Sequence, residues 1–232
     1  MVDRDESLPP DGSEITGEEG KERAGELDRL ISLSDGVFAF AMTLLVVTVE
    51  VPQMSDEAAR TRLHHDIVDL WPQVLSYIVG FLVIAFLWAS HRRNFARIQD
   101  FDARLVRLNI ALLLLVAFLP FPTGTLGEYG NLAFPVILYA VILAMISVLF
   151  IVMIDHMDRN RHLMTRGGRN YDFARAKTRH LVTCGILLLS IPISLMFPGF
   201  GQVVWILLIF NHQITEWLLP HLPKRFQERG QS

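Results

Sequence analysis

The sequence predicts an all-α, polytopic membrane protein with six transmembrane helices. Of its 232 residues, 51% are hydrophobic, and the mean hydropathy is positive at +0.36. Several apolar runs approach the roughly 20 residues that a helix needs to cross about 30 Å of hydrocarbon. Basic connections alternate with connections that lack basic residues. Because backbone polar groups in lipid need internal partners, such runs are expected to be helices.

The six predicted spans are joined by connections that include the predicted loops 52–70 and 120–131. They cover residues 30–51, 71–90, 105–119, 132–154, 181–197 and 203–219. Proline marks several predicted ends, because it disrupts a helix interior and is tolerated in the first turn. Pro52 is expected to close the first span and Pro72 to open the second, while Pro120 and Pro122 are expected to end the third.

The two ends of the chain are expected to be tails flanking a transmembrane domain at 29–220. Residues 1–28 carry ten acidic and three basic residues with few large hydrophobes. Such a segment buries too little apolar surface to offset its chain entropy, which predicts a disordered acidic tail. Residues 221–232 are expected to form a second tail. The single cysteine, Cys184, excludes a disulfide framework within one chain.

Positive charge predicts the orientation in the cell membrane. Four arginines lie in 92–104 and seven basic residues in 155–180, whereas 120–131 and 198–202 have none. Basic connections favour the cytoplasm, so both termini are predicted to be cytoplasmic. The basic connection 155–180 is interpreted as solvated, with an anionic-lipid site as the alternative.

Polar residues in the first span fall on two different faces. At 100° per residue, one stripe holds Gly36, Phe40, Thr43, Val47 and Glu50, within about 80° of one another. From the residues alone, simple helix packing is favoured for this stripe.

Asp35 points about 140° away from Phe40. A carboxylate inside a span needs a partner. We expect a buried ion pair or hydrogen-bonded cluster, in preference to a proton relay or ion site. The candidate partners of Asp35 are Arg29, His91 and Asn109, and Ser34 and Trp88 are expected to belong to the same structural network.

Other chemistries find little support. The histidines are expected to be solvated in loops or at span ends, and their spacing does not match a zinc-protease motif; they are His64, His65, His156, His162 and His180. Asn211, His212 and Glu216 are expected to serve helix contacts or the interface. We therefore predict no enzyme and no cofactor. A secondary or proton-coupled transporter remains the alternative, although inverted repeats and broken spans are not evident.

Three stretches resemble the transmembrane protein 175 family of potassium channels in its short prokaryotic form. The first contains Arg29, Ser34 and Asp35 and is similar to the family's Arg-x-x-x-Phe-Ser-Asp motif. The second runs from Trp71-Pro72-Gln73 to Trp88-x-x-His91-Arg92, and the third runs from Asn109 to Thr123. Two positions depart from the family: Leu33 replaces its Phe, and Phe40 replaces its usual Leu or Ile.

The resemblance implies a homotetramer in which four first helices line a central pore without a carbonyl filter. It places Phe40, Thr43 and Val47 in the constricting rings, with the potassium pathway passing the Thr43 hydroxyls. Four Phe40 rings would dewet the pore, and Glu50 would concentrate cations at the outer mouth. The expected function is therefore a channel for potassium and other monovalent cations with weak preference for K⁺ over Na⁺. No nucleic-acid partner is expected.

Overall fold

The computed structural model describes residues 12–168, 171–198, 200–208 and 210–219, with side chains from residue 21 onward. Its regular structure is all-helical, as the sequence predicts. The predicted C-terminal tail 221–232 and residues 1–11 lie outside the described residues. Within them, five helical spans are long and apolar enough to cross a membrane.

The first helix, α1, begins well before its predicted span. It covers Gly12–Leu44 and continues as a 3₁₀ turn at Leu45–Thr48. The segment expected to be a disordered tail is therefore helical from Gly12. Its Glu, Lys, Arg and Ala residues favour a helix. Helix formation in an isolated segment requires an unfavourable first turn, but here the segment extends a helix that the membrane span already forms. Leu27 is buried, and an Arg23 Nη1 to Asp100 Oδ2 ion pair of 3.0 Å joins this extension to the bundle.

Two connections predicted as loops are helical. The first is α2, Asp56–Asp69, whose N-cap Ser55 accepts a hydrogen bond from the Ala58 amide through its Oγ. No residue of α2 is buried. It leads into α3, Trp71–Phe95. The second follows α4, Ala103–Phe118: α5, Pro120–Tyr129, continues after a single residue. Pro120 does not end the third span, because a proline at the first position of a helix needs no amide donor there.

The core lies around α6, Ala133–Arg159, and α7, Phe173–Met196, which pack against each other. Half of the most apolar stretch of α6 is buried, the largest share of the five spans. Phe150 and Ile146 of α6 and Leu187 of α7 are fully enclosed.

The sixth predicted span is not one continuous α-helix. It consists of a 3₁₀ helix, Gly201–Leu208, and a short helix α8, Asn211–Leu218, both packed on α7. A Cβ at Gly201 would collide with Ser194 Oγ, so this glycine permits the close return of the chain. At the interruption, Asn211 Nδ2 donates to Thr183 Oγ1 at 2.7 Å. Asn favours helix starts over helix interiors, in agreement with the start of α8 at Asn211.

The two arginine-rich connections meet at one end of the bundle. The Gln99 amide donates to the Leu163 carbonyl at 2.8 Å, and the Thr165 amide donates to the Arg97 carbonyl at 2.9 Å. The Arg23–Asp100 pair lies at the same end. The opposite end holds the 3₁₀ turn after α1, the start of α3 and α5, where a Cβ at Gly124 would lie 3.0 Å from Thr48 Cβ.

Candidate functional site

A buried polar chain fixes α1 against α3 and α4. Asn109 Nδ2 donates to Ser34 Oγ at 2.9 Å, and Ser34 Oγ donates to the Leu30 carbonyl at 2.9 Å. Because the Asn109 amide oxygen has no proton to donate, it accepts from His91 Nε2 at 2.8 Å. Ser34, His91 and Asn109 are all completely buried. Hydrogen bonds between buried side chains favour one relative placement of the three helices. His91 Nδ1, at the end of this chain, has no hydrogen-bond partner among the described residues.

The aromatic surroundings hold the His91 ring in place. Its centroid lies 4.2 Å from that of Phe95 in a stacked arrangement and 5.5 Å from that of Phe38. Phe38 comes from α1, so the histidine joins the two helices through apolar contact as well as through the hydrogen-bond chain.

Asp35 is held by residues other than its predicted partners. Its Oδ1 accepts from Trp88 Nε1 at 2.8 Å, and its Oδ2 lies 3.0 Å from Arg92 Nη1. The prediction of direct bonds from Arg29, His91 or Asn109 was wrong. Consecutive residues on a helix point 100° apart, so Ser34 faces Asn109 while Asp35 faces α3 alone.

Arg92 was not predicted as a partner of Asp35, although the spacing of residues in the sequence contains a signal for it. Trp88 and Arg92 are four residues apart and therefore share a face of α3. The Arg92 guanidinium also lies 5.8 Å from the centre of the Trp88 ring. By contrast, Arg29 is exposed, and its guanidinium group forms neither a hydrogen bond nor an ion pair with any part of the chain that the structure describes.

The predicted stripe on α1 is exposed within the single chain. Phe40 is 62% exposed and Val47 71%, and Gly36 and Thr43 are exposed as well. On the opposite face, Phe38, Ala41 and Leu45 are fully buried. Thr43 Oγ1 donates its proton to the Phe40 carbonyl at 2.8 Å, which leaves the oxygen lone pairs free to accept.

The C-terminal part of the stripe departs from an ideal α-helix. Val47 belongs to the 3₁₀ turn, and Glu50 lies beyond it in irregular backbone. The first span thus ends earlier than its predicted boundary at residue 51. The Glu50 amide donates to Gln73 Oε1 at 3.2 Å, and Gln73 Nε2 donates to Glu128 Oε2 at 2.7 Å. Glu128, a second exposed carboxylate at this end, was not singled out from the sequence.

Two histidines predicted to be solvated are packed instead. His156 is buried and lies 2.7 Å from Asp102 Oδ2, while His180 stacks on Phe150 with 4.7 Å between centroids. Burial alone would raise the pKa of the Asp102 carboxyl, but bonds from the Leu105 amide and His156 outweigh it and lower that pKa below its usual range.

Asn211 and Glu216 make the helix contacts expected of them. Asn211 bonds Thr183, and Glu216 Oε2 lies 3.2 Å from Arg175 Nη2. Both contacts join α8 to α7.

Comparison with known proteins places this arrangement in a family. The model of the family described as "Endosomal/lysosomal potassium channel TMEM175" matches residues 29–120, which include the polar chain and the exposed stripe. A protein of Streptomyces collinus named as a potassium channel is 30% identical over 198 residues, which cover 77% of this chain and 94% of the relative.

The fold agrees with a solved structure. The crystal structure of a "lysosomal potassium-selective channel TMEM175 homolog" from Chamaesiphon minutus superposes with a TM-score of 0.65 at 27% identity, covering 90% of this chain and all of that one. The human endosomal/lysosomal proton channel TMEM175 is 22% identical over 84% of this chain, which spans 38% of the human protein. This chain belongs to the TMEM175 family.

Proposed function

We propose that this protein is a potassium-permeable cation channel whose pore is lined by the exposed face of α1. The observation that carries the proposal is the division of α1 into two faces. One face is fixed by Ser34, Asp35 and Phe38, whereas the face with Phe40 and Val47 is left uncovered by its own chain. Four such faces around an axis would form a continuous lining. The names of the Streptomyces and Chamaesiphon relatives support potassium as the ion.

Phe40 is the constriction in this proposal. It is the largest side chain of the stripe, and a ring of four exposed phenyl groups would exclude water from a narrow segment. Val47 forms a second, smaller apolar ring. Ions pass only when the Phe40 rings rotate or separate.

Thr43 supplies the weak preference for K⁺ over Na⁺. Because its hydroxyl proton is bonded to the Phe40 carbonyl, its oxygen presents lone pairs and can replace part of an ion's water shell. Potassium sheds water more readily than sodium, so a loose hydroxyl ring favours it without a tight cage.

Carboxylates at the outer end would raise the local cation concentration. Glu50 and Glu128 are both exposed, and Gln73 links the Glu50 backbone to the Glu128 side chain. A mouth lined by acidic groups attracts cations electrostatically.

Selectivity through Thr43 is tested by flux from liposomes that contain the full chain. Thr43→Ala keeps the width of the ring but removes its oxygen, so K⁺ and Na⁺ should become nearly equally permeant. Thr43→Ser keeps the hydroxyl and serves as the matched control, with the K⁺ preference retained. A Thr43→Ala protein with the wild-type ratio of K⁺ to Na⁺ flux would remove Thr43 from the ion pathway.

The proposed orientation places the arginine-rich end in the cytoplasm. Cysteine labelling in intact cells, in a Cys184→Ser background, tests it. Tyr129→Cys lies at the exposed end of α5 and should react with an impermeant thiol reagent. Arg166→Cys lies in the basic connection and should react only after lysis. The reverse pattern would invert the topology.

Proton permeation is a second candidate, because the human relative is named as a proton channel. A pH-sensitive dye inside the same liposomes separates the two candidates. The liposomes contain no alkali cation, and a membrane-permeant anion is added so that its movement balances the charge of any proton flux. Under a proton gradient, a channel restricted to alkali cations then leaves the internal pH unchanged, whereas proton permeation collapses the gradient.

A further inference from the structure

A cavity opens at the arginine-rich end of the bundle, at a place that the channel proposal does not use. It has a volume of about 370 Å³ and lies between the start of α4, the last turns of α6 and the first turns of α7. The residues that line it belong to these three helices, and none of them comes from α1.

The rim of the cavity carries more positive than negative charge. Arg104, Arg159 and Lys177 line it together with a single carboxylate, Asp155. Asp155 accepts from Lys177 Nζ at 3.0 Å and from Arg159 Nε at 2.7 Å. The Arg104 guanidinium is exposed and, within the described part of the chain, has neither a hydrogen bond nor an ion pair. Lys177 Nζ also lies 2.9 Å from Asp158 Oδ2, so two carboxylates hold the lysine. The exposed guanidinium groups of Arg104 and Arg159 are therefore the cations that the rim offers to a ligand.

The inner wall of the cavity is apolar and lies deeper in the bundle. Ile151 and Val152 precede the end of α6 by about two turns, and Leu181 follows the start of α7 by the same distance. Eight residues of helix correspond to about 12 Å, so the wall reaches from the level of the arginines into the hydrocarbon region. Leu181 is partly exposed, which leaves this wall accessible from the side.

We propose that this cavity binds one anionic phospholipid. Arg104 and Arg159 hold the headgroup phosphate, and the first methylene groups of an acyl chain pack against Ile151, Val152 and Leu181. Basic pockets between helices at the basic end of a membrane protein attract anionic headgroups. A free phosphate ion would satisfy the arginines but would leave the apolar wall without a partner, which is why a lipid is the better occupant. The proposal does not depend on channel activity.

Lipid retention by the full-length protein tests the arginines. The chain is purified in detergent, mixed with phosphatidylglycerol or phosphatidylcholine, and examined by native mass spectrometry. Wild-type protein should retain phosphatidylglycerol preferentially. Arg104→Gln with Arg159→Gln should lower that retention by about fivefold for each arginine removed. The control is Arg166→Gln, an exposed arginine outside the cavity. Equal retention by the double variant and the control would overturn the proposal.

A second variant tests the apolar wall and separates lipid from free phosphate. Val152→Trp fills the space beside Ile151 and leaves the arginines in place, so phosphatidylglycerol retention should fall while the melting temperature in detergent stays within a few degrees. Inorganic phosphate at millimolar concentration should displace the lipid only weakly. If phosphate displaces the lipid completely and Val152→Trp retains it as wild type does, the site binds a free anion and the lipid assignment is wrong.

Discussion

The two faces of α1 differ in what they contact. The face with Ser34, Asp35 and Phe38 is bonded to α3 and α4 by side chains of the same subunit. The face with Phe40, Thr43 and Val47 makes no comparable side-chain bond to another helix among the described residues. A single helix therefore has two roles. One face anchors it to α3 and α4, and the other face is held uncovered in a fixed position. Substitutions on the first face should change stability, and substitutions on the second should change permeation.

The largest expected loss of stability comes from Asn109→Ala. This change removes the central member of the buried chain and leaves the His91 Nε2 donor without a partner in a fully enclosed site. An unsatisfied buried donor costs about 1–3 kcal/mol, and the cavity left behind adds to it. Thermal unfolding in detergent should therefore shift to clearly lower temperature.

The matched control for Asn109→Ala is Asn131→Ala, which replaces an exposed asparagine between α5 and α6. Its melting temperature should remain that of the wild type. A drop of equal size in both variants would mean that the buried chain has no special stabilising role.

A smaller loss is expected from Asp35→Ala. The carboxylate is about one-third exposed and the Arg92 side chain more than half exposed, so solvent weakens their ion pair. We expect a loss of ~1 kcal/mol in unfolding free energy, mostly from the Trp88 bond, with weaker subunit assembly and an unchanged ratio of K⁺ to Na⁺ flux. Melting temperature, oligomer mass and flux ratio are measured on one preparation.

Asp28→Ala, an exposed aspartate earlier on the same helix, is the control for Asp35→Ala. It should leave all three measurements unchanged. An Asp35→Ala protein that assembles normally but has altered ion preference would move Asp35 from the anchoring face to the ion pathway.

Much of this comparison could be predicted from the sequence. The 100° spacing of helical residues separates Asp35 from Phe40 without any structure, and runs of about 20 apolar residues locate five spans. Trp88 was placed in the same network as Asp35, but its direct bond to Asp35 and the role of Arg92 were missed, because a polar residue near a span end has several candidate partners at the same depth. The rotation of α1 relative to α3 and α4 determines which of these candidates contacts Asp35, and the sequence does not reveal that rotation.

The boundaries of the helices were harder to predict for two physical reasons. Proline can start a helix as well as end one. Pro120 therefore led to the prediction of a loop, whereas α5 begins at this residue and continues the span. Acidic composition predicts disorder only for an isolated segment, and here α1 extends helix back to Gly12. At the start of α8, the bond from Asn211 to Thr183 of α7 joins residues 28 positions apart, which local sequence does not reveal.

The most direct test of the central claim, that the exposed face of α1 lines the pore, is potassium flux through Phe40→Ala in liposomes. Its matched control is Phe86→Ala on α3, a phenylalanine that is 72% exposed but lies off the stripe. Removal of the Phe40 ring takes away most of the apolar plug, so flux should rise severalfold, whereas Phe86→Ala should conduct as wild type does. Equal flux through wild type and both variants would show that this face of α1 does not line the pore.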